Sequence, residues 1–178
     1  MSHNNTSNNI RLPAIAGTFY PSNPEELRTT VEYFIRKADK IFGSAHNVPK
    51  AIIVPHAGYI YSGLTAAAAY NRLHLGRGTI KRVIILGPCH RVGINGLALP
   101  STETFQTPLG DIPIDKDAMT SIKDLEYVKI FNETHVEDHS IEVHLPFLQK
   151  ILADFTLLPL IVGDTEPEKV AKVLEILW

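Results

Sequence analysis

Cysteine is almost missing from this chain: Cys89 is the single one, so no intrachain disulfide can brace it and the fold must rest on a packed core. An excess of one charge is missing too. Seventeen basic residues stand against nineteen acidic ones, a net charge of −2. That leaves no field to draw in nucleic acid or an anionic membrane without specificity, and neither is expected as a partner. No apolar run approaches the length of a membrane span, and no charged stretch followed by an apolar one marks a leader. The cytoplasm is the expected compartment. Repeats and linker-like stretches are absent as well.

What the chain has is apolar residues in short runs. Hydrophobic side chains make up 44% of the 178 residues, enough for a sizeable core and fitting one domain. The polar, asparagine-rich start predicts a disordered tail over residues 1–10, with His3 unpartnered in it, ahead of a single α/β domain over 11–178. Residues 11–21 (RLPAIAGTFYP) are neither alternating nor helical and read as an extended segment crossing a core. Asn23, followed by Pro24 and Glu26, marks the start of a helix running to about Phe42.

Two runs each end on a histidine: Ala51-Ile52-Ile53-Val54-Pro55 delivers His56, and Lys81 through Cys89 deliver His90. Short runs apolar on both faces predict buried strands of a parallel sheet, whose carboxyl ends are where open α/β sheets bind ligands. Pro55 and Pro88 suit a sharp exit at those ends. A glycine loop and an alanine-rich helix over about 64–73 follow His56. Further along, the pattern predicts a strand at Leu97–Leu99 and a turn feeding an edge strand over 107–115. A helix over 116–123 capped by Asp115 comes next, then a helix over 141–152 bent at Pro146, a strand over 155–162 and a last helix from Pro167. Strands alternating with helices give the fold class α/β, a three-layer α/β/α arrangement around a largely parallel sheet.

His56 and His90, held at one rim, are the candidate metal ligands; imidazole suits iron, copper or zinc alike. The segment Glu133 to His144 crowds three histidines and four carboxylates. Glu133, Glu137 and His144 read as water-facing, Asp138 or Ser140 as a helix cap, and His139 as the one that enters the pocket, in a catalytic role. Tyr59 and Tyr61 are candidate pocket donors, of which alternation requires at most one. Cys89 adjoins His90 and reads as a small pocket residue rather than a nucleophile. His46 and His74 read as exposed.

These residues also carry a resemblance. RLPAIAGTFYPSNPEEL, PHAGYIYSG, VIILGPCH, FQTPLGDIPID and DHSIEVHLPFLQ occur in the order and at the spacings of the Memo family, also called AmmeMemoRadiSam system protein B. That family is similar to the LigB-type catalytic subunits of class III extradiol dioxygenases, nonheme iron(II) enzymes. The resemblance implies a LigB-like fold with His56 and His90 at the metal, where the family's usual serine is replaced by Cys89.

The family continues with an SSD-x-x-H segment and a CGR segment, and neither is present here. The chain thus resembles an amino-terminal portion, a truncated fold that lacks a third ligand unless Glu142, His139 or a second chain supplies it. The implied cofactor is a divalent metal, iron(II) or copper ahead of zinc, with no nucleotide cofactor. The implied function is a metal-dependent oxidoreductase. A peptide-binding or signalling module in the same cleft and a zinc hydrolase are the alternatives. The ligand is a small molecule or a peptide, and the apolar end, Leu174 to Trp178, predicts self-association.

Overall fold

A computed structural model of the chain describes residues 9–43 and 46–178. Of the tail expected over residues 1–10, residues 1–8, His3 included, lie outside the described residues. Asn9 and Ile10 do not belong to a tail. The Asn9 carbonyl accepts hydrogen bonds from Glu103 N and Thr104 N, and β1 (Ile10–Arg11) pairs in parallel with β4 (Thr104–Thr107).

Helix α1 (Pro24–Phe42) starts as its sequence dictates. The Asn23 side chain accepts from Glu25 N and Glu26 N, and Pro24 occupies the first turn, where its missing N–H costs nothing. Its buried face, with Leu27 and Val31 fully covered, packs against α2 (Tyr59–Tyr70). The close approach is possible because a Cβ at Gly63 would collide with the Phe34 ring.

The central sheet has four strands in the order β2 (Arg82–Pro88), β7 (Thr156–Val162), β3 (Leu97–Leu99), β6 (Val128–Ile130). The ladders β2–β7 and β3–β6 are parallel, and β3–β7 is antiparallel. A hairpin of β4 and β5 (Gly110–Pro113) joins β1 in a separate three-stranded sheet. The expected edge strand is therefore the second arm of that hairpin.

Strand alternation sorts the core into two layers. Leu157 and Ile161 of β7 and Ala98 of β3 face α1, α2 and α5 (Leu145–Ile151), in a cluster with Tyr59, Tyr70 and Phe147. Leu158, Leu160, Leu97 and Leu99 face α3 (Lys116–Ile122) and α6 (Pro167–Leu177) through Ala118, Ile122, Val173 and Leu177. Helices thus cover both faces of the sheet, which is the α/β fold the alternation predicts.

Two expectations fail. Residues 51–55 form no strand and have no ladder partner among the described residues. Ile52 and Val54 reach the core, but Ile53 is fully exposed, so only one side of the run is covered and it stays irregular. The helix expected over 141–152 is a 3-10 turn, Glu142–His144, followed by α5, with Pro146 in the first turn of α5 instead of bending a longer helix.

Candidate metal centre

His90 lies two residues past the end of β2. The Cys89 amide still bonds the carbonyl of Val162, the last residue of the neighbouring β7, at 3.2 Å. His56 follows the irregular run 51–55, and Gly58, the N-cap of α2, lies two residues further on. That entry is tied down by the Tyr59 amide, which donates to Phe19 O at 2.8 Å. His139 comes from the turn between α4 (Glu133–Val136) and the 3-10 turn.

These three segments bring three imidazoles together. The rings of His90 and His139 are stacked at 4.4 Å and 19°, and His56 lies 5.2 Å from the first and 5.6 Å from the second. One ring nitrogen from each of the three lies within 4.8 Å of the others. Nitrogens bound tetrahedrally at about 2.1 Å from an ion stand about 3.4 Å apart, a difference within the reach of small side-chain rotations. The donor set therefore fits a divalent cation.

Electrostatics keep the rings ready to ligate. Burial first and the neighbouring His90 second hold both His56 and His139 below the ordinary imidazole value, so they are neutral lone-pair donors near pH 7. Burial pushes the Asp138 carboxyl up, but hydrogen bonds from Ser140 and the His90 amide, with the His90 charge, outweigh it and leave its pKa below the usual carboxylate value. Phe19 closes one side, 4.8 Å from the His139 ring.

The other expected site residues are not gathered here. Tyr59 is buried in the core with its hydroxyl donating to Val143 O at 2.9 Å. Tyr61 projects outward, 83% exposed. The half-buried Cys89 thiol donates to Val92 O. Glu142 is sealed away: Arg11 Nη1 at 2.5 Å, Ala14 N, Ile15 N and the Tyr20 hydroxyl all donate to its carboxylate, so it is the anchor of the 11–20 segment and has no free oxygen for a metal.

His144, expected to face water, is buried beside Tyr70, because the 3-10 turn carries it under α2. His135 is buried as well, with its Nε2 3.1 Å from Ala98 O, and α4 ends before His139 joins its face. Glu133 and Glu137 are exposed as expected, as are His46 and His74. Asp138 and Phe19 are the neighbours that sequence reasoning passed over. Asp138 was legible only as a cap.

The profile of a family described as Memo-like protein matches residues 11–178. A MEMO1 family protein of Thermoplasma volcanium is 38% identical over 159 residues, 88% of this chain and 57% of that protein. One of Aquifex aeolicus is 39% identical over 162 residues, 89% of this chain and 57% of that protein. One of Saccharolobus islandicus is 38% identical over 177 residues, 89% of this chain and 58% of that protein. The chain thus spans somewhat over half the length of these relatives. A family match that runs from Arg11 to Trp178, with relatives 38% and 39% identical over most of the chain, places the chain in the Memo-like protein family.

Proposed function

We propose that the protein binds one divalent metal ion through His56, His90 and His139 and acts as a metal-dependent oxidoreductase related to nonheme dioxygenases, with iron(II) or copper preferred over zinc. The observation that carries this reading is the gathering of three imidazole nitrogens within 4.8 Å. An all-imidazole set of three leaves coordination positions open, and redox-active metals suit imidazole. Iron or copper held there supplies electron transfer and the capacity to activate dioxygen.

The chain's own residues do the rest. His90 and His139 present a stacked pair to the ion, Phe19 excludes water from one flank, and the exposed side of His90 leaves an approach for a small molecule or peptide. Ile53, Ile60 and Tyr61, exposed apolar side chains within five residues of His56 in the chain, favour a second reading, in which this surface holds a peptide without turnover.

The test is titration of the chelator-stripped chain with iron(II) under anaerobic conditions, and separately with copper(II) and zinc, followed by oxygen uptake of the loaded protein. Stoichiometric binding lost in His56→Ala and in His139→Ala is expected. Binding unaffected by either change overturns the site, and binding without oxygen uptake across candidate reductants and catechols overturns the oxidoreductase in favour of the peptide cleft.

A further inference from the structure

The turn that carries His139 also grips His90. The Asp138 side chain is only 2% exposed, yet its carboxylate is fully engaged. Oδ2 accepts the His90 backbone amide at 3.0 Å and lies 3.2 Å from His90 Nδ1. Oδ1 accepts the Ser140 amide at 2.7 Å.

The bond to Ser140 is a local turn contact of the kind an aspartate makes two residues ahead of itself, and it accounts for Oδ1 alone. Oδ2 is spent on a residue 48 positions away in sequence. The same turn is stapled to the end of β2 a second time. Ser140 Oγ donates to Pro88 O at 3.1 Å, and Gly87 leaves the room, since a Cβ there would collide with Ser140 Oγ.

We infer that Asp138 is the positioning residue of the metal centre: its carboxylate holds the proton of His90 on Nδ1 and so turns the Nε2 lone pair toward His56 and His139. This inference rests on the metal-binding reading above. A carboxylate offers acceptors only, so the imidazole nitrogen beside it must be the N–H, and a neutral ring then has its lone pair on the other nitrogen. Residues that orient ligating histidines in this way fix ring rotation as well as tautomer. The geometry adds a coupling, because Asp138 adjoins His139 in the chain: a shift of the turn moves one ligand and the grip on another together.

Substitution Asp138→Asn tests this at nearly constant volume. The amide can keep an oxygen toward Ser140 N, but it then turns an NH₂ toward His90 Nδ1 and favours the opposite tautomer. Two readouts are taken on the full chain. The first is the His90 ring tautomer, from ¹⁵N shifts and two-bond ¹H–¹⁵N couplings of the metal-free protein above neutral pH. The second is zinc affinity by competition with a chromophoric chelator.

The wild type is expected to show His90 protonated on Nδ1. Asp138→Asn is expected to move that proton to Nε2 and to weaken zinc binding by about 10- to 100-fold. Ser140→Ala, which removes only the Oγ staple, should leave the tautomer alone. A wild-type His90 protonated on Nε2 overturns the inference, and that measurement stands even if Asp138→Asn fails to fold. An Asp138→Asn chain with unchanged tautomer also overturns it. A wild type that binds no zinc, or binds it equally well as His56→Ala, overturns the metal reading instead, and the tautomer separates that failure from this one.

Discussion

Acidification from pH 7.5 to pH 5.0 should cost this protein a large part of its stability, through two histidines that ligate nothing. Burial holds the pKa of His135 down to about 4 and that of His144 down to about 4. In the unfolded chain both titrate near 6.5. Between those values the unfolded state binds protons that the folded state refuses, so stability falls as the pH drops through this window and is level above it. With those two pKa values, the loss at pH 5.0 relative to pH 7.5 is about 2 kcal/mol per ring, or about 4 kcal/mol for both. His56 and His139, also held below the ordinary imidazole value, push in the same direction. Against a total of roughly 5–15 kcal/mol for an ordinary domain, this is a severe loss.

The assay is urea unfolding followed by far-UV circular dichroism at half-unit pH steps, on the metal-free chain. Carboxylates with lowered pKa values, Asp115 and Asp138 among them, titrate below the window and leave its slope alone. His144→Gln removes one titrating ring and should shrink the pH-dependent loss by about 2 kcal/mol while shifting the curve as a whole. A free energy of unfolding that stays constant between pH 7.5 and 5.0 refutes the reasoning. It would mean that both rings reach water in the folded chain.

Three further outcomes are expected. Glu142→Gln leaves the buried Arg11 cation (side chain 3% exposed) without its counter-charge, and thermal unfolding should report a loss of about 3–5 kcal/mol. Gly87→Ala drives a methyl into Ser140 and Ile141; a loss of about 1–3 kcal/mol is expected, accompanied by weaker zinc binding because the end of β2 carries His90. Asn23→Ala removes the cap that accepts from Glu25 N and Glu26 N and should cost about 1 kcal/mol, with zinc affinity unchanged.

Where local chemistry decides an element, the sequence was enough. Asn23-Pro24 at the start of α1, Asp115 at the start of α3 with its side chain accepting from Ala118 N, and the apolar run of β7 all stand where they were expected. The run 51–55 misled because apolar composition reports a preference for cover, and nothing within the run says whether a second face will find it. Ile53, fully exposed, shows that here it did not. His90 is legible from its strand-exit setting and His139 from its place ahead of an apolar stretch, whereas His56 joins them although the strand expected before it does not form. Glu142 was misplaced because its partner is Arg11, 131 residues away. Asp138 was read as a cap for the same reason, since a bond to Ser140 is visible in sequence and a bond to His90 is not.

The buried polar residues of the 135–144 segment divide into two jobs that sequence alone runs together. Arg11 donates to Glu142 and to the carbonyls of His135 and Asp138, so one guanidinium spans the whole turn and fixes it to the chain's first strand. The buried ion pair is a poor source of net stability, because desolvation cancels most of its Coulomb gain. Its effect is geometric: with both ends of the turn bound, Asp138 has little freedom in how it meets His90. The 11–20 segment pinned by the same pair brings Phe19 against the His139 ring. Two of the three imidazoles are thus oriented by contacts that reach back to Arg11, while the run leading to His56 pairs with no strand among the described residues. Of the three clustered rings, His56 therefore has the least backbone support ahead of it, and its tie lies behind it, where Tyr59 N donates to Phe19 O.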